Sequence, residues 1–292
     1  MSDTSTASRE ISISSIKGLL DDASNRLTPH HDSARLDAEL LLAHTIKQPR
    51  SHLHAWPEQE LSDSHINEFN DLVTARHDGV PIAYLTAHRE FWSMDLLISE
   101  ATLIPRPETE LLVERALQHI ENDADTRVAD MGTGSGAIAL ALGKERPLIQ
   151  ITATDISNKA LFIARRNMQR LGINNIRLHT GSWLDQHNPF KYDVLVSNPP
   201  YICSDDPHLQ QGDVRFEPAT ALASGVDGLD SIREIITLSS KHLKPGGWLL
   251  LEHGYNQATQ VGELLLQAGF TDIATSKDIN QIDRVTEARL PA

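Results

Sequence analysis

The chain has 292 residues, of which 40% are apolar and 23% are charged, so collagen-like, disordered and disulfide-scaffold proteins are excluded and about two domains are expected. Its 40 acidic residues outnumber its 26 basic residues, and the net charge of −14 disfavours binding to a nucleic-acid phosphate backbone. The single cysteine, Cys203, indicates a reducing compartment, and no apolar run reaches the length of a membrane span.

The N-terminal region is predicted to be helical. The first fifteen residues are rich in Ser and Thr and are predicted to form a frayed polar leader, not a signal peptide. From residue 11 to 80, apolar residues such as Leu36, Leu40 and Ala43 recur at three- and four-residue steps. This spacing predicts a bundle of four or five helices in a domain of residues 1–83. The bundle could serve as a packing module or recognise a partner, and the pattern leaves both readings open.

Residues 84–105 are predicted to form a β-hairpin that links two domains. Apolar residues lie on both sides of the turn-prone segment 93–95, which we expect to be the hairpin turn. Pro107 then suits the first position of a helix that would run to Ile120, because a backbone N–H is not needed there.

Strands and helices alternate in the remaining domain, residues 106–292. Short apolar runs predict strands at 128–131, 151–154, 176–178, 194–196 and 248–251. Helices are predicted between them, near 136–144, 157–171, 230–242 and 257–268. Two more strands, near 272–275 and 284–288, would complete one edge. This order predicts an α/β fold with a doubly wound, mainly parallel seven-stranded sheet, preceded by the helical bundle and the hairpin.

The first predicted strand of that sheet runs into a glycine-rich turn, Asp130-Met131-Gly132-Thr133-Gly134-Ser135-Gly136-Ala137. Glycine lets the backbone turn sharply and lets a ligand approach, and the following helix N-terminus offers free N–H groups. A phosphate-binding Walker loop is excluded because no Gly-Lys-Ser/Thr follows. A dinucleotide fingerprint is not excluded, since Gly132, Gly134 and Ala137 fit its spacing.

Asp155 is the acidic partner of this turn. It lies 19 residues after Gly136, at the end of the second predicted strand, where a carboxylate can accept both hydroxyls of a ribose. NAD and S-adenosylmethionine both carry an adenosine. The glycine turn and Asp155 therefore indicate a nucleotide-like cofactor without choosing between the two.

The fourth predicted strand runs directly into Asn198-Pro199-Pro200-Tyr201. Ligands in open α/β sheets bind beyond the carboxyl ends of the strands, so we expect this turn to face the same crevice as the glycine turn. The prolines restrict the backbone and remove two N–H donors. The Asn198 side chain and a main-chain carbonyl would then accept both hydrogens of a planar –NH2 group, with Tyr201 supplying an aromatic face.

These two motifs together resemble the class I methyltransferases that methylate amide or exocyclic amino nitrogens. Three further segments resemble the PrmC (HemK) family of protein-(glutamine-N5) methyltransferases: Ile104-Pro105-Arg106-Pro107-Glu108-Thr109-Glu110, residues 206–218, and Lys244-Pro245-Gly246-Gly247. The family acts on class 1 peptide chain release factors. The resemblance covers nearly the whole chain and is strongest from about residue 80 to 255.

The resemblance implies a role for each matching position. S-adenosyl-L-methionine would be held at its methionine part by residues 132–136, at its ribose by Asp155 and at its adenine by Trp183. Asn198 would touch both cofactor and substrate. Residues 198–201 would hold the glutamine of a release factor's Gly-Gly-Gln motif, and Asn198, Pro199 and Tyr201 would be the catalytic residues. The helical domain would help dock the factor. We therefore expect a monomeric cytoplasmic enzyme.

The chain departs from the family pattern at two places. Ser182 stands where an acidic residue commonly precedes the tryptophan and can accept from the adenine amino group. The segment from Asp278 to Arg284 lacks an expected turn glycine. Arg106 and Glu110 could line the cofactor entrance or simply complement a helix N-terminus, and Glu217 and Pro218 could shape the substrate pocket.

Three other functions remain open on the residues alone. The Asn-Pro-Pro-Tyr turn is also compatible with a DNA or RNA amino-methyltransferase, although the acidic charge and the absence of a basic patch disfavour it. A ribosomal-protein glutamine is a closer alternative substrate, and a non-catalytic binding module is a third possibility. No His-Glu-x-x-His motif or cysteine cluster is present, so no metal site is expected.

Overall fold

A computed structural model describes residues 14–184 and 190–292. The chain divides into two compact units, Met1–Ala87 and His88–Ala292. Most of the predicted polar leader lies outside the described residues, but Ser15 is the buried N-cap of the first helix and accepts a hydrogen bond from Gly18 N. Every helix in the described ranges is too short or too polar to cross a membrane.

The first unit confirms the predicted helical bundle. Its helices are α1 (Ile16–Leu27), α2 (Ala34–Ile46), α3 (Arg50–Ala55), α4 (Asp63–His77) and α5 (Ile82–Thr86). Leu20, Leu41 and Phe69 are among the apolar residues that form its buried core. Arg76 on α4 donates to Asp37 on α2 at 2.8 Å, and both side chains are buried. This ion pair fixes two helices against each other inside the bundle.

The second unit begins with the hairpin, formed by β1 (His88–Phe91) and β2 (Met94–Leu97). The prediction of a hairpin is correct, but the turn was placed one residue too late. Trp92 and Ser93 make the turn, both with φ near +52°. Two successive left-handed residues match the twist of an antiparallel pair, so Met94 and Asp95 continue the strand instead of turning.

A seven-stranded sheet forms the centre of the second unit. Its strands are β3 (Arg127–Met131), β4 (Gln150–Asp155), β5 (Ile176–Thr180), β6 (Tyr192–Ser197), β7 (Leu243–Glu252), β8 (Thr271–Lys277) and β9 (Asp283–Arg289). They follow the order β5-β4-β3-β6-β7-β9-β8, and β9 runs antiparallel to the other six strands. The predicted mainly parallel seven-stranded sheet is therefore confirmed.

The helices of this unit are α6 (Glu110–Leu117), α7 (Ala137–Glu145), α8 (Asn158–Leu171), α9 (Asp230–His242) and α10 (Ala258–Gln267). Four successive residues of β3 are buried, which requires cover on both faces of the sheet. The chain reverses its direction of winding between β3 and β6. A ligand-binding crevice is expected beyond their carboxyl ends, because the flanking connections diverge there.

One predicted helix needs correction, and one turn forms in spite of a missing glycine. The segment that starts at Pro107 first makes a 3-10 turn, Pro107–Thr109, and α6 ends at Leu117 instead of Ile120. The turn between β8 and β9 forms without a glycine because Gln281 adopts φ +62°. One oxygen of Asp278 accepts from the N–H groups of Asn280 and Ile282, which stabilises that turn.

Candidate functional site

A cavity of about 430 Å³ lies at the carboxyl ends of the central strands. Of the residues assigned to the cofactor and to the Asn-Pro-Pro-Tyr turn, six line it: Gly132, Gly134, Asp155, Trp183, Asn198 and Pro200. The remaining residues of the glycine-rich turn and the Asn-Pro-Pro-Tyr turn do not line this cavity: Thr133, Ser135, Gly136, Pro199 and Tyr201. The fold thus brings together residues that are far apart in the chain.

The glycine loop, residues 132–136, is held by main-chain contacts to the end of β4. The N–H groups of Gly132 and Thr133 both donate to Thr154 O at 2.9 Å. Gly132 has φ +75°, and a Cβ on it would lie 3.3 Å from the Trp183 ring. A glycine is needed there because the aromatic ring closes directly over the backbone.

Asp155 is fixed by the same loop. Its Oδ2 accepts from Gly134 N at 2.9 Å and its Oδ1 accepts from Ser157 N at 2.8 Å. Each carboxylate oxygen has a second lone pair, so Asp155 can still accept from two hydroxyl groups. This is the chemistry predicted for a ribose contact.

Asp130, the first residue of the glycine motif, lies fully buried beneath the loop. Its Oδ2 accepts from the Thr133 hydroxyl at 2.6 Å and from Ala139 N at 3.1 Å. Its Oδ1 has no partner within residues 14–184 and 190–292. Burial raises the pKa of Asp130 to about 6, and the charge of Asp155 contributes in the same direction.

Glu234 is a cavity residue that the sequence analysis missed. It lies on α9 and accepts the Trp183 indole N–H at 2.8 Å. A carboxylate therefore reaches this wall from a position 51 residues further along the chain than Trp183. Glu234 is an exposed residue on a helix that carries no recognisable motif, so nothing in the sequence indicated this role.

The asparagine loop, residues 198–201, is held by side chains from other elements. Ser197 donates to Met131 O at 2.6 Å, which ties the end of β6 to β3. Asn198 Nδ2 donates to Thr109 Oγ1 at 3.1 Å. Gln257 Nε2 donates to Tyr201 O at 3.0 Å. Within the described chain, Asn198 Oδ1 has no such partner and is available on the cavity wall.

Glu252, at the end of β7, lies behind the asparagine loop and is only 1% exposed. The Thr109 and Tyr201 hydroxyls act on its carboxyl group in the direction that lowers its pKa, against the larger effect of burial. Burial raises the pKa of Glu252 to about 7, with a further contribution from the charge of Glu108. Burial also raises the pKa of the Tyr201 hydroxyl, so that it stays protonated.

Arg106 and Glu110 do not line the cavity. Arg106 pairs with Glu217, whose buried carboxylate also accepts from Ile104 N at 3.1 Å. Glu110 instead accepts from Trp92 N at 2.8 Å. Pro218 lies on the cavity wall directly after Glu217, so the ion pair fixes one rim of the cavity. In the part of the chain that the structure covers, no cluster of three potential metal ligands occurs.

Two families match the chain. Residues 18–86 match the PrmC N-terminal domain, and residues 108–215 match the Methyltransferase small domain. A release factor glutamine methyltransferase of Xylella fastidiosa strain Temecula1 is 49% identical over 257 residues, which are 88% of this chain and 94% of the relative. The Escherichia coli K12 protein of the same name is 46% identical over 258 residues, covering 88% of this chain and 93% of its own.

A solved structure shows the same fold. A methyltransferase from Pyrococcus furiosus superposes with a TM-score of 0.53 and 18% identity, covering 68% of this chain and 90% of its own. At this level of identity the likeness concerns only the fold.

Proposed function

This chain belongs to the release factor glutamine methyltransferase family and is a methyltransferase, and we propose that its substrates are class 1 peptide chain release factors. The methyl group of S-adenosyl-L-methionine would be transferred to the side-chain amide nitrogen, N5, of the glutamine in their Gly-Gly-Gln motif. The reaction would take place in the cytoplasm, where translation terminates. The helical unit, which matches the PrmC N-terminal domain, would help to dock the factor.

The position of Asn198 is the observation that carries this proposal. Its side chain lies on the wall of the cavity that the glycine loop and Asp155 also line. Its nitrogen is bound by Thr109, so its oxygen is the end left to meet a substrate donor. An amide –NH2 is a donor of matching size and shape.

The residues of the cavity fit S-adenosylmethionine. A volume of about 430 Å³ lies within the usual range of small-molecule sites, roughly 300–1,000 Å³. Asp155 offers acceptors for ribose hydroxyls, Trp183 offers an aromatic face for adenine, and the glycine loop leaves room for the methionine part. When bound, this cofactor supplies an electrophilic methyl group on a positively charged sulfur.

The asparagine loop would prepare the poor nucleophile. An amide nitrogen is weakly nucleophilic because its lone pair is delocalised into the carbonyl. If Asn198 Oδ1 and the Pro199 carbonyl accept its two N–H groups, the nitrogen is oriented and gains electron density. Positioning of this kind is the main contribution that this chain's residues make. A strong base is unnecessary because the amide becomes highly acidic once the nitrogen is methylated.

A labelling experiment tests the proposal. The chain is incubated with methyl-labelled S-adenosylmethionine and, separately, with a class 1 release factor, with the same factor carrying Asn in place of the Gly-Gly-Gln glutamine, with ribosomal proteins and with DNA. We expect label only on the release factor that retains the Gly-Gly-Gln glutamine. Label on DNA or on a ribosomal protein, with none on the factor, would contradict the proposal and favour the corresponding alternative.

A further inference from the structure

Gln257 is a buried amide that joins three segments behind the asparagine loop. It lies at the N-terminal end of α10, is 5% exposed and does not line the cavity. We propose that Gln257 is a positioning residue for methyl transfer: it holds the Tyr201 carbonyl, and through it the acceptors that residues 198–201 present to the substrate amide. The inference deepens the proposed function and rests on it, because those acceptors matter only if an amide –NH2 group binds there.

Both hydrogens and the oxygen of the Gln257 amide have partners. Its Nε2 donates to Tyr201 O at 3.0 Å and to Asp227 O at 3.3 Å, and its Oε1 accepts from Gly254 N at 2.8 Å. Because the partners are two carbonyls and one N–H, only one orientation of the amide satisfies all three. Gln257 therefore connects the asparagine loop to the segment after β7 and to the segment before α9.

Gly228 packs directly against the Tyr201 carbonyl. Its φ is +76°, and a Cβ on it would lie 2.3 Å from Tyr201 O and 2.8 Å from Gln257 Nε2. Only glycine lets the backbone come this close. If the Gln257 donor is removed, Tyr201 O loses its hydrogen bond where Gly228 already fills the adjacent space. A carbonyl left unsatisfied in this way is costly, so the loop would shift to regain a donor.

The prolines at 199–200 carry the position of Tyr201 to Asn198. Their φ is restricted, so the loop between these two residues has little freedom of its own. The other end of the loop is anchored because Ser197 Oγ donates to Met131 O at 2.6 Å. The two anchored ends therefore set the course of the loop. Release of the Tyr201 end would let the acceptors of the loop move relative to the substrate nitrogen.

The same amide ties the asparagine loop to the rim of the cavity. Ile202, the residue directly after the loop, is paired through both its N–H and its C=O with segment 222–224, at 2.9 Å each. Ala223 in that segment lines the cavity. The segment continues to Asp227, whose carbonyl Gln257 also holds at 3.3 Å. Loss of the Gln257 donors should thus disturb the asparagine-loop side of the cavity and leave the glycine loop in place.

Turnover measurements on two Gln257 variants test the positioning role. Gln257→Glu keeps an acceptor for Gly254 N but removes both N–H donors, and we expect kcat on a release factor to fall about 10-fold. Gln257→Met removes the donors without adding a charge and should show the same loss. Affinity for S-adenosylmethionine should change little in either variant, whereas a purely structural role would lower this affinity together with kcat.

Asn175→Asp is the matched control for these variants. It also removes two amide donors to backbone carbonyls, Gly143 O at 3.4 Å and Arg146 O at 3.0 Å, and neither of those residues lines the cavity. Its kcat should equal that of the wild type. Wild-type kcat in Gln257→Met, an equal loss in Asn175→Asp, or a parallel loss of cofactor affinity in Gln257→Met would each overturn the inference.

A measurement without turnover separates this inference from the proposed function. The side-chain amide resonances of Asn198, identified by their loss in Asn198→Ala, are compared by NMR in the wild type, Gln257→Met and Asn175→Asp. We expect them to shift in Gln257→Met and to stay constant in Asn175→Asp. Constant resonances in Gln257→Met would refute the positioning role even if the release factor is methylated. A shift in a protein that methylates no release factor would support the positioning role and refute only the proposed substrate.

Discussion

The glycine loop and the asparagine loop line one cavity but are held by different kinds of contact. Residues 132–136 are fixed partly by backbone groups, since the N–H groups of Gly132 and Thr133 donate to Thr154 O. The side chains of Asp155, Asp130 and Asn167 make the other contacts to this loop. Residues 198–201 are fixed by side chains from distant segments, above all Thr109 and Gln257. A loop held partly by backbone groups is less sensitive to side-chain changes than a loop held by side chains alone. The asparagine loop should therefore be the more sensitive of the two to conservative substitution.

The largest expected effect comes from removing the key side chain of the asparagine loop. Asn198→Ala should lower turnover on a release factor by 10²-fold or more, because the acceptor that orients the amide is lost. Binding of S-adenosylmethionine should persist, since the glycine loop and Asp155 are unchanged. Single-turnover methylation and a cofactor titration by calorimetry measure the two effects separately. Unchanged turnover would show that Asn198 does not orient the substrate. The asparagine loop would then not be the more sensitive of the two loops.

The same contrast explains how much of the site the sequence could reveal. The glycine motif, Asp155 and the asparagine loop were predictable because each signal is a short run at the end of an apolar strand. Thr109, Glu234 and Glu252 were not assigned roles, because each is a single polar residue on an otherwise unremarkable element. Only the sheet order places β7 beside β6, and so Glu252 behind Asn198. Contacts made through the tertiary structure leave no local pattern to read.

The fold itself was predictable for a related reason. Buried parallel strands are continuous apolar runs, and all seven strands of the sheet were expected near their observed positions. Errors occurred where boundaries depend on backbone dihedrals instead of hydrophobicity. Trp92 and Ser93 adopt left-handed backbone conformations, which neither residue type favours. The hairpin turn therefore lies one residue earlier than predicted. The early end of α6 at Leu117 is a boundary error of the same kind.

The buried carboxyl group beneath the glycine loop gives the next largest effect. Since the pKa of Asp130 is raised from 3.8 to about 6, the fold binds its proton more tightly than the unfolded chain does. The corresponding stability is present below pH 3.8 and is lost as the pH rises through about 6, by an amount on the order of 3 kcal/mol. Asp130→Asn should remove this part of the pH dependence. Urea unfolding at pH 5, 6, 7 and 8 measures it, and identical slopes in both proteins would show that Asp130 is ionised throughout.

A methyl group added to the glycine loop should directly weaken cofactor binding. In Gly132→Ala, the new Cβ would lie 3.3 Å from the Trp183 ring at a φ of +75°. Overpacking of this kind costs about 1–3 kcal/mol, so we expect about 10-fold weaker binding of S-adenosylmethionine. Gly172→Ala is the matched control, because its φ is +68° and no atom lies within 4 Å of the added Cβ. Equal cofactor affinity in the two variants would show that the Trp183 ring can move without consequence.

The smallest expected effect concerns Glu234, whose side chain contributes to the half of the cavity that the glycine loop forms. Its hydrogen bond to the Trp183 indole, at 2.8 Å, holds the ring over Gly132 but is open to solvent. A net value of about 0.5–1 kcal/mol is typical of such a bond, so Glu234→Ala should weaken S-adenosylmethionine binding about 3-fold. Glu234→Gln should have less effect, because its amide oxygen can still accept from the indole.

The control for Glu234 is Glu263→Ala, which removes an exposed glutamate from α10 that does not line the cavity. It changes the net charge equally, so any difference between the two alanine variants reports on the indole contact and not on long-range charge. A loss in Glu234→Gln as large as that in Glu234→Ala would instead assign the effect to the charge of the Glu234 carboxylate. Glu234 would then supply the carboxylate acceptor for the adenine amino group that an acidic residue at position 182 would otherwise supply, and this half of the cavity would also depend on a single side chain.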